Sequence, residues 1–197
     1  MILKVLTDRS AIVESMSTHD ELRVIALAEF TSAGYSATSL QRIAELAGVS
    51  KSSVLYHFTS KEQLLEAAIS PAIDQMETVL APLETIGSLG DRQRFLEDFV
   101  DFLLMYRLEV NMFINQGPSL VDVPVIERGS ALVVRLAQFF SQNSQSLEEN
   151  MRFGIALGGA AYMLCTASTY GLEFPADETR AALISIMSEL LAPISTR

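Results

Sequence analysis

The chain concentrates polar groups able to do chemistry in the run Ser50-Lys51-Ser52-Ser53, followed closely by Tyr56 and His57. The run comes directly after Ala47-Gly48-Val49, where glycine stops one helix, and Ser50 is a natural N-cap for a short helix from Lys51 to His57. Small polar and cationic residues in the first turn of such a helix suit the major groove of double-stranded DNA. Lys51 can meet a phosphate or a guanine edge, while Ser52 and Ser53 let the backbone approach the bases and still exchange hydrogen bonds. The amides at the helix start are further donors for phosphate. Tyr56 reads as groove-facing, Phe58 as core and His57 as either, with Arg42 a surface charge.

The surrounding helices must hold that turn, and their starts are marked by Thr/Ser-x-x-Glu/Gln capping boxes: Thr18 with Glu21, Thr38 with Gln41, Ser60 with Gln63. The first helix is expected to bury Leu22, Ile25, Ala26, Phe30 and Ala33 at three-and-four spacing and to end at a left-handed Gly34. The second, Ser39 to Ala47, buries Leu40, Ile43, Ala44 and Ala47. A third from Lys51 turns Val49 and Val54 inward, and a fourth starts at Ser60 or Lys61. Two short helices joined by a glycine turn make a helix-turn-helix. Beyond residue 70 the periodicity predicts helices near 71–86, 91–115, 123–142, 147–171 and 177–192, and no strand. The fold class is therefore all-α: an N-terminal three-helix helix-turn-helix domain over 18–66 and a helical domain over 67–197, preceded by a flexible arm, 1–17, with no clear caps. That arm reads as disordered, as a minor-groove arm, or as sequence upstream of a start at Met16.

Composition narrows the function classes. Hydrophobic residues make up 49% of the chain, enough for a core without staples, and the single cysteine, Cys165, excludes an internal disulfide and reads as a buried structural thiol. His19 and His57 belong to no metal-ligand spacing, so neither a metal nor a cofactor is expected. No glycine-rich phosphate loop or nucleophile elbow speaks for an enzyme. A net charge of −10 weighs against nucleic acid, but residues 1–70 carry six Lys/Arg against eight Asp/Glu, so the excess acid lies mostly C-terminally. The start of the chain is too interrupted for a secretion signal, and a cytoplasmic protein is expected. The twenty charge-free residues 153–172 leave an alternative, a membrane-associated helical sensor, against which four glycines and three hydroxyl residues dilute the hydrophobicity. The plainer reading is a buried helix whose small residues admit a close neighbour.

In the C-terminal part, Phe95, Phe99, Phe102, Met105, Tyr106, Met112 and Phe113 form a dense apolar set. Ordinary core is the default, and the lining of an apolar ligand cavity the alternative, with Arg107, Asn111, Asn115 and Gln116 as polar handles.

Gly34-Tyr35, Thr38, Leu40, Ile43-Ala44, Ala47-Gly48-Val49-Ser50-Lys51, Tyr56-His57-Phe58 and Ser60-Lys61-Glu62 together resemble the signature of the tetracycline-repressor (TetR) family of transcriptional regulators. The resemblance implies a homodimer that binds a palindromic operator in double-stranded DNA and is released by a small-molecule inducer. It implies DNA contacts by Lys51, Ser52, Ser53, Tyr56 and His57, and phosphate contacts by Thr38 and Lys61. It also implies that the last two long helices pair with their mates, for which Gly158, Ala161, Cys165, Leu183, Ile186, Met187 and Leu190 are the expected interface, with no membrane partner. One departure is Leu55, where members often carry an aromatic whose hydroxyl touches phosphate; leucine cannot make that bond, and Tyr56 is the residue at hand to replace it.

Overall fold

Ser17 starts the first helix, α1 (Thr18–Ala33): its hydroxyl accepts the Asp20 amide at 3.2 Å and donates to the Asp20 carboxylate at 2.8 Å. The cap thus lies one residue before the expected Thr18. The Ser17 hydroxyl, aided by Arg23, holds the Asp20 carboxyl below its ordinary pKa. In this computed structural model the described residues are 17–85, 89–167, 171–172 and 174–192, so all of the expected arm except Ser17, and residues 168–170 of the charge-free stretch, lie outside them. The chain divides into two compact units at Ile69/Ser70.

The first unit packs α1, α2 (Leu40–Ala47), α3 (Lys51–His57) and the start of α4 (Lys61–Leu80) around Leu22, Phe30, Ile43, Val54, Leu64 and Leu65, all essentially without solvent exposure. Four expected core positions differ: Ile25, Leu40 and Ala47 are half-buried and Ala33 is exposed, while Leu27 and Tyr35 are buried instead. Gly34 ends α1 at φ 90° and ψ 146°, close to a region open essentially to glycine alone rather than the left-handed helical one. Gly48 does take the left-handed conformation, φ 68° and ψ 24°, and the Val49 amide reaches back to the Ala44 carbonyl at 3.0 Å, closing α2 in a Schellman turn.

Helix α4 runs unbroken through Pro71, where a separate helix from 71 was expected. Proline has no N–H, so the carbonyl four residues back, on Ala67, loses its helical partner. Arg23 of α1 supplies one: its Nε donates to the Ala67 oxygen at 2.7 Å. A long helix therefore passes the proline with its backbone satisfied.

The second unit comprises the end of α4 together with α5 (Leu89–Met105), α6 (Arg107–Gln116), α7 (Pro124–Asn143), α8 (Leu147–Thr166) and α9 (Ala176–Leu190), with short 3₁₀ turns at Ala81–Thr85 and Gly117–Ser119. The expected helix 91–115 breaks at Tyr106, whose φ −107° and ψ 34° separate α5 from α6. Side chains bolt the helices together. Arg180 of α9 holds Asp101 of α5 with two bonds of 2.5 and 2.8 Å, keeping that carboxyl below its usual pKa, and Arg128 of α7 bridges Asp74 and Glu77 of α4 at 2.6 and 2.8 Å. Asn111 of α6 donates to the Cys165 carbonyl at 2.7 Å, among the last four carbonyls of α8, which have no partner within that helix. Among the described residues no helix is long and apolar enough to cross a membrane, and α8 opens with Glu148, Glu149 and Arg152.

Gly129 of α7 makes a close approach: a Cβ there would lie 2.7 Å from the Phe113 ring and 2.8 Å from Ile73 Cδ1. Gly129→Ala is expected to destabilise this unit by about 1–3 kcal/mol, the cost of overpacking a filled core. A urea titration followed by circular dichroism reads this directly, and an unchanged midpoint would contradict the packing.

Candidate nucleic-acid interface

The segment between Gly34 and Ser39 fixes where α2 begins, and a half-buried ammonium holds it. Lys61 Nζ donates to the Tyr35 carbonyl at 2.8 Å and the Thr38 carbonyl at 2.9 Å, and sits 4.2 Å from the centre of the Tyr35 ring. Burial pushes the Lys61 pKa below the ordinary lysine value, and burial likewise raises that of Tyr35. Thr38 is only 2% exposed, and its hydroxyl donates to the Gly34 carbonyl at 2.9 Å. A hydroxyl has one proton, so this threonine has none left for a phosphate. Thr38 thus commits its hydroxyl to the turn and Lys61 two of its three ammonium protons, and the cap of α2 is Ser39, whose hydroxyl accepts the Arg42 amide at 3.1 Å.

Ser60 does cap α4, accepting the Gln63 amide at 3.1 Å, and the Gln63 carboxamide returns to the Thr59 amide and hydroxyl at 2.9 Å each. Ser50 caps α3 as the spacing predicts, accepting the Ser53 amide at 3.1 Å. With Val54 fully buried below, α3 turns its other side outward: Lys51 and Ser52 are exposed, Ser53 and His57 half-buried, and Tyr56 is 85% exposed. Phe58, read as core, is buried. His57 stands between Tyr56 and Phe58, in edge contact with Tyr56 at 5.2 Å and with His19 of α1 at 6.1 Å, while His19 lies against Phe58 at 4.6 Å. Leu55 is partly exposed, on the same rim as Tyr56.

The cations of this unit are distributed unequally. Arg23 bonds Asp20 and the Ala67 carbonyl, Arg42 pairs with Glu29 at 3.2 Å, and Lys61 is sunk under the turn. Among the described residues of the unit, Lys51 is the cation without an intramolecular partner, and it stands at the start of α3 beside exposed amides. The sequence sets Lys61 at a helix start but gives no sign of its bonds to the Tyr35 and Thr38 carbonyls, because those residues, 23 to 26 upstream, meet it only in the fold.

In the second unit the expected ligand residues separate. Phe99, Phe102 and Met112 are buried core, Phe113 packs on Gly129, Tyr106 marks the helix break with its ring 5.5 Å from that of Phe102, and Met105 is 74% exposed. A cavity of about 300 Å³ opens elsewhere, between the start of α5, the end of α7, the start of α8 and the end of α9, and it includes none of those six residues. The expected interface residues also divide. Cys165, Leu183 and Met187 are buried within the protomer, Ala161 and Leu190 are half-buried, and Gly158 and Ile186 are exposed. Burial raises the Cys165 thiol to about 11, consistent with an inert structural cysteine. The outward side of α8 carries Met151, Ile155 and Tyr162, with Gly154, Gly158 and Gly159 bearing nothing within 4 Å of where a Cβ would stand.

Comparison with known proteins agrees with this geometry. Residues 24–68 match the family described as bacterial regulatory proteins, tetR family. The chain is 33% identical over 116 residues to the HTH-type transcriptional repressor KstR2 of Mycolicibacterium smegmatis, covering 55% of this chain and 54% of that one. It is 43% identical over 74 residues to the HTH-type transcriptional regulator RutR of Escherichia coli K12, covering 38% and 29%. The matches thus span about half, or less, of these relatives. Among solved structures, the ketosteroid transcriptional regulator KstR2 of Mycobacterium tuberculosis superposes with a TM-score of 0.72 at 16% identity over 92% of this chain and 96% of that one. SCO3833 of Streptomyces coelicolor A3, a TetR-family regulator, gives 0.68 at 21% identity over 89% and 91%. At such identities the likeness is one of fold.

Lys61→Met is expected to destabilise the N-terminal unit by about 1–3 kcal/mol, because the Thr38 carbonyl loses the ammonium and the Tyr35 carbonyl keeps only the Thr38 amide. A urea titration followed by circular dichroism checks this, and an unchanged midpoint would contradict the scaffold contact.

Proposed function

We propose that the chain is a DNA-binding transcriptional regulator that acts as a dimer and is released from its operator by a small molecule, a reading supported by the tetR-family match over residues 24–68 and by the likeness of fold. The observation that carries this reading is Lys51, an unpartnered cation on an otherwise acidic chain, set with Ser52 and Tyr56 on the outer side of α3. In this arrangement α3 enters the major groove by its first turn, with Lys51, Ser52 and Ser53 toward base edges and phosphates. Tyr56 and His57 follow one turn later. Leu55 cannot donate to phosphate, and the neighbouring Tyr56 hydroxyl is positioned on the exposed surface to do so. Thr38 and Lys61 hold the turn before α2, and the half-buried Lys61 keeps one ammonium proton for a phosphate.

One domain with a single free cation in its reading turn binds weakly, so affinity requires two copies on two half-sites. The exposed side of α8, with Met151, Ile155, Gly158 and Tyr162, and Ile186 of α9 support a two-fold pairing in which the glycines admit a close helix crossing. This moves the interface away from Cys165, Leu183 and Met187, which the protomer's own core already occupies. Release by ligand requires unequal affinity for the DNA-competent and incompetent conformers.

Footprinting on DNA flanking the gene tests the regulator reading, and absence of a protected palindrome at low salt would remove it. Lys51→Ala is expected to weaken operator binding by about 1 kcal/mol or more per subunit, with an unchanged affinity contradicting the docking. Ile155→Glu places a charge on the proposed dimer face and is expected to yield a monomer in sedimentation at micromolar concentration; a persistent dimer would exclude that face.

A further inference from the structure

We infer that the cavity between the start of α5, the end of α7, the start of α8 and the end of α9 is a binding site for a small aromatic or branched-chain carboxylic acid. The inference deepens the ligand-responsive reading and rests on it only for the regulatory consequence. The walls are apolar and largely aromatic: Phe95, Phe139, Phe140, Phe153 and Leu191. Their rings interlock, with Phe140 stacked on Phe153 at 4.0 Å and 24° and Phe95 tilted against Phe140 at 5.9 Å. Behind them Phe99 and Phe102 continue the stack at 5.9 and 6.4 Å, so the floor is packed solid and the opening cannot deepen along α5 without breaking the core.

The volume of about 300 Å³ lies at the lower end of small-molecule sites. It corresponds to about ten water molecules, and so to a ligand of one ring or a short branched chain rather than a fused polycycle. Flat aromatic walls favour a ring stacked or set edge-on.

The polar rim selects the charge. Of its hydrogen-bonding groups, Ser188 and Gln93 are joined at 3.1 Å and Gln93 also donates to Glu97 at 2.9 Å. Asn143 donates to the Phe139 carbonyl at 2.7 Å. Glu149 accepts the Gln145 amide at 2.6 Å in the first turn of α8, where the helix dipole favours its negative charge. Arg92 alone among these rim groups has no hydrogen-bond or ion-pair partner among the described residues, and it brings the rim's cation. A planar guanidinium at the mouth of an aromatic cavity is matched by a carboxylate, which it can hold with two parallel bonds.

The chain has no tryptophan, so Phe153→Trp puts a single fluorescent reporter in the wall. Titrating the full-length variant with 3-phenylpropionate is expected to give a saturable change in emission, absent when the tryptophan is placed at Tyr162 on the outward side of α8 instead. Adding Arg92→Gln is expected to weaken 3-phenylpropionate at least tenfold and to leave the uncharged 3-phenylpropionamide within about twofold, since only the acid uses the guanidinium. Calorimetry on the unsubstituted protein and on Arg92→Gln alone repeats the comparison without touching the wall. No saturable binding by either method, an equal response from the Tyr162 reporter, or equal weakening of acid and amide would each overturn the site. Binding that depends on Arg92 but leaves operator affinity unchanged keeps the site and overturns release through it, so the two readings fail separately.

Discussion

A lysine ammonium beneath a turn carries much of the N-terminal architecture. The segment from Gly34 to Ser39 is too short to have a core of its own, and within it the Tyr35 carbonyl has the Thr38 amide at 3.2 Å as its backbone donor. Lys61 bonds to the Tyr35 and Thr38 carbonyls, and in doing so ties the start of α4 to the start of α2. The axis of α2 then sets α3 through Gly48 and the Val49 amide, which turn the chain in the space of two residues. The orientation of the Lys51 turn is inherited from that sequence of constraints. A charge at position 61 is tolerated in a half-buried site because two carbonyl dipoles and an aromatic face stand in for water.

Local chemistry was legible and tertiary chemistry was not. Ser50 and Ser60 announce helix starts because a cap involves only the next three or four residues. Where two hydroxyl residues adjoin, as at Ser17-Thr18 and Thr38-Ser39, the sequence offers two caps, and burial of Thr38 under the turn decides the second case. The break at Tyr106 has no glycine or proline to signal it, and the continuity of α4 through Pro71 depends on an arginine from another helix. Both were read the other way for those reasons.

The proposed binding surfaces divide along the same line. The Lys51 turn is contiguous in sequence, so its polar pattern is visible there. The cavity is made from the ends of four helices and cannot be seen in any one of them, and the aromatic stripe of α5 that stands out in sequence mostly fills the core behind it. In α8, small and apolar residues occupy every side, so periodicity has no phase. Folding assigns Ala156, Ala160 and Leu164 inward and leaves Ile155 and Gly158 facing out.

The bond from Arg23 to the Ala67 carbonyl has a consequence for how this chain can change over generations. Pro71 frees that carbonyl and Arg23 occupies it, so neither residue's identity can be weighed alone. A lineage that replaced the proline would restore the internal helix bond and release the arginine from duty, after which position 23 could drift. A lineage that lost the arginine first would strand a carbonyl in a partly buried place. The order of substitution is therefore constrained, and positions 23 and 71, forty-eight residues apart, should vary as a linked pair among descendants.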